Sequence, residues 1–595
     1  MVTASHQLLR VPSTDLTALS FCESNVRSMR QWISTLPKAN IGETSRQLYN
    51  ALGELNRIDL PVESRLQLLE AIGPEVDYIC QQLSRYFLDQ PIVLEARAQQ
   101  VVNLCQALQS QLTTGYKQAT IKLASTHSSH NRDRALLALS IEHAMDYLYQ
   151  SLVRSCQLYC LAPERLWLDL HLLYRVAAEH TVQAIQLRRS DKSLSPSIEQ
   201  RYLAALLLAC AGTSQLRQKK IALLARELLE WAPLAKLTTP ELESSHFIFL
   251  PQVDAPPRAR ALYGQQVLTG FIGINCEALV THLSQILKQS DGKASTTQLS
   301  DQVLQHLITT LGTLSERSFQ RRPGNGEQLT LCLGMSSVHY HLAQQRDFNE
   351  SLHARETNKQ SSNTPPADVW AFAPDASEFT PAQDRLPLEH ISYSKPDENT
   401  EAEARKLLEQ RYPLYQVNIV NQSSGGYCIQ WPAQVPSLLQ AGELLAIQVH
   451  HDHWNLAVVR WIRQIKNEGT HAGVELLSPN AQPCGVQLLR TGTPNSQYLR
   501  ALLLPGIEVL GRPATLLLPL IPFQEGNRVQ VSQHGKEERV ILEQRLAFSS
   551  QYNQFQFRTI VTPTVTKPDE ASNITEFEHK PSDPANRFDA LWKSL

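Results

Sequence analysis

Four things are scarce or missing in this 595-residue chain, and each removes a class of function. Charge of one sign is the first. Lys and Arg number 55 against 57 Asp and Glu, a formal net charge of -2, so no global field draws the protein to nucleic acid or an anionic membrane. Any anion site has to be a local cluster. Long apolar runs are the second absence: no window reaches the ~18 consecutive apolar residues of a spanning helix. Met1 to Arg10 also lacks the charged start and apolar centre of a signal peptide. The expectation is a cytoplasmic protein with no transmembrane segment and no nucleic-acid partner.

A cysteine framework is the third. Ten cysteines are spread singly, as with Cys80, Cys105, Cys210, Cys276 and Cys332 inside apolar segments, and no CxxC occurs. Reduced thiols acting as small hydrophobes account for them. Cys156 and Cys160 stand one helical turn apart but have no companion pair at metal-ligand spacing, and His450, His451, Asp452 and His453 read as a solvated loop tip between strands. No metal site is expected. The fourth absence is catalytic: there is no P-loop, GxSxG or HExxH, and no acidic pair in a context that marks a general acid or base. The expectation is that the protein is not an enzyme and has no catalytic residue.

What is there is length and a change of period. Single cores seldom grow past roughly 250 to 300 residues, so several domains are expected. Residues 1–315 read as an α-helical array. The first ~60 are mixed. From Val62 Leu and Ala recur at helical spacing, in two short helices broken at Gly73-Pro74 and then in segments of about 93–116, 133–160, 164–187, 198–211, 216–231, 276–289 and 299–314. Phe247 to Leu250 reads as one short extended crossing.

After Leu314 the period falls to two, with Leu329, Leu331 and Leu333 alternating with Thr330 and Cys332. A β-barrel is expected over 316–342 and 412–500, interrupted at 343–411 by a polar, proline-bearing insert read as disordered. Trp370 lies on an apolar island within that insert. A second small β-barrel or sandwich is expected over 501–558, from its own strands and turn signals. The tail, 559–595, reads as disordered apart from a terminal peptide whose Phe588, Leu591, Trp592 and Leu595 share one helical face. Trp370 and that peptide are candidate docking elements for a protein partner.

Two stretches carry candidate binding chemistry. Arg317 and Arg321, four apart and followed by Arg322, offer planar forks for phosphate and flat cations for stacking on purines. Asn421-Gln422-Ser423-Ser424-Gly425-Gly426 joins two apolar β-type runs, so it reads as a tight connection in a sheet. Its Asn and Ser offer donors and acceptors, and its glycines let a ligand approach the backbone.

Together, RxxxR before the first strand and NxSxxG after the next resemble the PilZ domain, the bacterial receptor module for cyclic di-GMP, here in a large multi-domain form with a helical N-terminal region. The resemblance continues through Ala441-Gly442-Glu443-Leu444, the strand around Val458-Val459-Arg460-Trp461 and Gly473-Val474-Glu475-Leu476, and covers about 316–342 and 412–480. It implies cyclic di-GMP as ligand. Arg317, Arg321 and Arg322 would hold phosphate and stack on guanine, Asn421 and Ser423 would contact base and phosphate, and Gly426 would permit close approach. The fold class expected overall is multi-domain α+β, and the function a non-enzymatic cyclic di-GMP effector coupled to an unidentified protein partner. The alternative is a helical scaffold or adaptor whose barrel has lost its ligand.

Overall fold

The computed structural model of the chain describes residues 4–126, 130–188, 194–241, 245–263, 268–289, 297–312, 321–324, 326–353, 406–423, 425–431, 435–450, 453–466, 468–490, 495–506, 513–533, 535–549 and 551–560. The N-terminal part is a bundle of helices α1 (Val26–Thr35), α2 (Ile41–Leu55), α3 (Val62–Ser84), α4 (Ala96–Ser125), α5 (Asn131–Gln157), α6 (Leu166–Glu179), α7 (Ile198–Cys210) and α8 (Gln218–Trp231). Asn25 and Asn40 cap α1 and α2 through their side chains, and Ser197 with Gln200 forms a capping box on α7. These starts explain why helices form within the first 60 residues, where the apolar pattern alone reads as mixed.

The break expected at Gly73-Pro74 does not occur, because α3 runs through Pro74. Proline removes one backbone hydrogen bond, but the residue before it is glycine, which has no Cβ to collide with the pyrrolidine ring. Leu66, Leu69 and Ile72 before the proline and Val76, Ile79 and Leu83 after it are buried in the same core and hold one continuous helix. No helix among the described residues is long and apolar enough to cross a membrane.

The stretch expected to be helical up to 315 also contains a sheet. β1 (Lys236–Thr238), β2 (Ser245–Phe249), β3 (Arg258–Ala259) and β4 (Ile272–Asn275) pair in the order β1-β4-β2-β3, followed by α9 (Glu277–Gln289) and α10 (Asp301–Gly312). Three of these strands have four residues or fewer, too short for a periodicity to register.

The first barrel is built from β5 (Arg322–Pro323), β6 (Gln328–Leu333), helices α11 (Met335–Leu342) and α12 (Phe348–His353), then β7 (Tyr415–Ser423), β8 (Gly426–Trp431), β9 (Leu444–His450), β10 (His453–Ile465) and β11 (Gly469–Ser478). The strand order β5-β7-β6-β9-β10-β11-β8 closes on itself through the β7–β8 pairing. Its interior residues Val417, Ile429, Ile447, Val459, Ile462 and Val474 belong to the same apolar cluster as the helical bundle, so bundle and barrel share one core. The ends of the polar insert are ordered, contrary to expectation: α12 and residues 406–411 are helical. Tyr340 of α11 stacks on Tyr412 with centroids 4.2 Å apart, and the ring of His341 bonds to Tyr412 O, fastening the two ends together. The remainder of the insert, with Trp370, lies outside the described residues, as does the terminal peptide with Phe588, Leu591, Trp592 and Leu595.

A second closed barrel follows, with β12 (Gln482–Leu488), β13 (Leu499–Leu504), β14 (Thr515–Pro519), β15 (Arg528–Gln533), β16 (Lys536–Phe548) and β17 (Tyr552–Thr559) in the order β12-β13-β14-β17-β16-β15. Strand β12, grouped by its position in the sequence with the first barrel, is a strand of the second. Both architectures match the multi-domain α+β expectation of a helical region and two β-barrels. The barrels also share a core of their own, where Leu444, Leu456 and Val458 of the first meet Leu502, Leu517 and Tyr552 of the second.

Candidate functional site

Strand β7 carries the polar loop residues and the arginine segment pairs with it. Arg322 lies opposite Gln422 and Pro323 opposite Asn421, and the amide of Gly324 donates to Val420 O at 2.9 Å. A Cβ on Gly324 would land on the carbonyl of Ile419, so only glycine allows the two segments this close. Arg321 is exposed at the start of that short strand. Arg317 lies outside the described residues.

The expected connection Asn421 to Gly426 is mostly strand. β7 extends through Ser423 and β8 begins at Gly426. A bulge decides which way Asn421 faces. Ile419 pairs with Ile429 and Asn421 with Cys428, leaving Val420 as the extra residue. Without it Asn421 would share the inward face of Ile419; with it Asn421 moves to the outer face beside Cys428. Ser423 is opposite Gly426, and its hydroxyl donates to Gly426 O at 3.3 Å. Gly426 has φ +155, and a Cβ there would strike the carbonyl of Val474. Asn421, Ser423 and Gly426 therefore share the outer face beside the exposed Arg321, while Arg322, opposite Gln422, is directed to the other face of its strand.

Following the register across the sheet exposes residues that the sequence reading left unassigned. Asn421 pairs with Cys428, Cys428 with Gly473, and Gly473 with Trp461 of β10. A second bulge, at Arg460, sets Trp461 opposite Gly473. A Cβ on Gly473 would overlap the Nε1 edge of the Trp461 indole, so only glycine lets the ring cover this position. Cys428 lies low between Asn421 on one side and, on the other, the half-buried Trp461, whose indole covers Gly473. Burial pushes the Cys428 thiol up, while the charges of Arg321 and Arg463 pull it back. The usable sequence signal was glycine in the middle of a strand; it marks a site of close approach.

Around this surface the charges are balanced locally. Glu475, opposite Gly426, pairs with Arg460 at 2.5 Å, so the carboxylate does not stand unneutralised beside the loop. Such a surface, with arginines, an indole ring, amide and hydroxyl groups and a low floor at Cys428, suits a planar anionic ligand. No group of side chains that could hold a metal ion occurs among the described residues.

Comparison with known proteins agrees along the whole chain. Residues 27–241 match a family model described as the N-terminal domain of the cyclic-di-GMP receptor FimW, 246–483 its middle PilZ domain, and 484–560 its C-terminal β-barrel domain. A curated relative from Pseudomonas aeruginosa, named cyclic-di-GMP receptor FimW, is 44% identical, with 99% of each chain covered. No solved structure matches. The arginine segment paired to the Asn421 strand, two closed barrels and full-length similarity together make this chain a member of the FimW family of PilZ-domain cyclic-di-GMP receptors.

Proposed function

We propose that the chain is a cytoplasmic, non-enzymatic effector that binds cyclic di-GMP on the outer face of the first barrel and passes the signal to a protein partner. Arg317, Arg321 and Arg322 hold phosphate and stack on guanine. Asn421 and Ser423 bond to base and phosphate, and Gly426 gives access to the backbone. The observation that carries this reading is the pairing of Arg322 and Pro323 with Gln422 and Asn421, which joins segments some hundred positions apart in sequence. The relative's name, cyclic-di-GMP receptor, supports the same ligand.

The test is calorimetric titration of the full-length chain with cyclic di-GMP, alongside Arg321→Ala. Saturable heat from the wild type and a loss of at least about tenfold in affinity for the variant are expected, the range of a charged hydrogen bond. No heat from the wild type would instead favour a scaffold whose barrel has lost its ligand.

A further inference from the structure

We propose that Arg463 is a fourth ligand-binding arginine, holding the cyclic dinucleotide from the side of the floor opposite Arg321; this rests on the reading that the outer face of the first barrel binds cyclic di-GMP. Arg463 follows Trp461 by two residues on β10, and the intervening Ile462 is fully buried, so strand alternation sends Trp461 and Arg463 out on the same face. The register fixes its place. Asn418 pairs with Gln430, Gln430 with His471 and His471 with Arg463, forming the outer row next to the one that runs from Asn421 to Trp461. Between the two rows lie Ile419, Ile429, Ala472 and Ile462, all facing the core.

The Arg463 guanidinium rests over the Trp461 ring, 5.4 Å from its centroid, and the residue is exposed. A stacking contact orients the guanidinium without occupying its N–H donors, which stay in its plane for an acceptor. Arg321 and Arg463 both act on the Cys428 thiol, one from the β5 side and the other from β10. A ligand lying over Cys428 therefore lies between the Arg321 segment beside β7 and Arg463 on β10. Cyclic di-GMP has the matching chemistry: two phosphodiester anions, and two guanines whose O6 and N7 accept a planar fork. Arg321 and Arg322 both belong to the β5 segment, and Arg463 supplies a cation at the β10 end of such a ligand.

Titration with cyclic di-GMP by calorimetry tests this in the full-length chain. The variants are Arg463→Ala, Arg463→Lys, Arg321→Ala, and Arg539→Ala, which removes an exposed arginine from the second barrel. Arg463→Ala is expected to weaken binding about 10- to 100-fold, the range of a charged hydrogen bond, with an unchanged unfolding midpoint. It should also lower the dependence of affinity on salt. Arg463→Lys keeps the charge without the fork and should recover only part of the loss, and Arg539→Ala should bind as the wild type does. Wild-type affinity in Arg463→Ala, with Arg321→Ala impaired, overturns the role of Arg463 and leaves the binding site standing. Absence of binding by the wild type overturns the site and this inference together.

Discussion

Arg217, immediately before α8, reaches Glu443 at the edge of the first barrel, with Nη2 3.4 Å from the carboxylate. The same carboxylate accepts a hydrogen bond from Gln551 of the second barrel at 3.1 Å, so Glu443 is the point where all three structural units meet. Burial drives its carboxyl up to about 7, against the opposing pull of Arg217 and Gln551.

The pH dependence of stability follows from that elevation. A carboxyl raised from 4.5 to about 7 keeps its proton in the folded state after the unfolded chain has released it. Its contribution is full below about pH 4.5 and is lost as pH rises through about 7. Asp77, also raised to about 7 by burial and by Asp146, acts in the same window with the same sign. Urea unfolding of wild type and Glu443→Gln at pH 5 and pH 8 measures this. The variant should lose less stability between the two, and Glu443→Gln with Asp77→Asn less still. Equal slopes in all three proteins would mean that Glu443 is solvated.

A buried cation in the helical bundle gives a second expectation. Arg201 pairs with Glu142 at 2.6 Å and also with Asp146, and the side chains of Arg201 and Glu142 are 2% and 4% exposed. Arg201→Leu strands a carboxylate in the core and should cost about 3–5 kcal/mol. Adding Glu142→Gln and Asp146→Asn removes the unpaired charges and should recover much of the loss. Denaturant midpoints of the single and triple variants decide it.

Gly473 offers a test of the floor that leaves every charge in place. In Gly473→Val the new side chain occupies the space of the Trp461 indole. Overpacking of that kind costs about 1–3 kcal/mol of stability and should tilt the ring away from Cys428. Affinity for cyclic di-GMP should fall by tenfold or more while the protein stays folded at 25 °C, as read by calorimetry and circular dichroism. Wild-type affinity in a folded Gly473→Val protein would show that the ring and floor do not touch ligand.

How much of this was legible in the sequence depends on the kind of signal. Helices α4, α5, α7 and α8 announce themselves through long Leu and Ala patterns, and β6 and β7 through alternation. The Arg317 to Arg322 and Asn421 to Gly426 stretches are ordinary by themselves and were visible through the resemblance of their motifs and strand order to the PilZ domain. The bulges at Val420 and Arg460 were not, since a bulge is a relation between two strands and leaves no mark on one. Yet those bulges orient Asn421 and set Trp461 opposite Gly473. The same limit hid β12, whose partners β13 and β15 lie further along the chain.

The insert between α12 and β7 bears on access to the site, and the register shows where its described ends join the barrel. β6 and β7 are antiparallel partners, with Leu331 opposite Tyr415 and Gln328 opposite Asn418. The insert joins the Leu333 and Tyr415 ends of this pair, while Arg322 and Asn421 lie at the other end. From Tyr415 to Asn421 the strand advances about 20 Å at roughly 3.3 Å per residue. Its ends are fastened by Tyr340, His341 and Tyr412, beside the shared core of the two barrels. Lengthening or shortening a connection changes closure entropy only slowly, so the barrel should tolerate a short flexible linker in place of residues 354–405. The shortened protein should bind cyclic di-GMP within about twofold of the full chain by calorimetry, since neither half-site nor floor is touched. A tenfold loss in a shortened chain with a native unfolding midpoint would mean that the insert reaches around the barrel to the ligand.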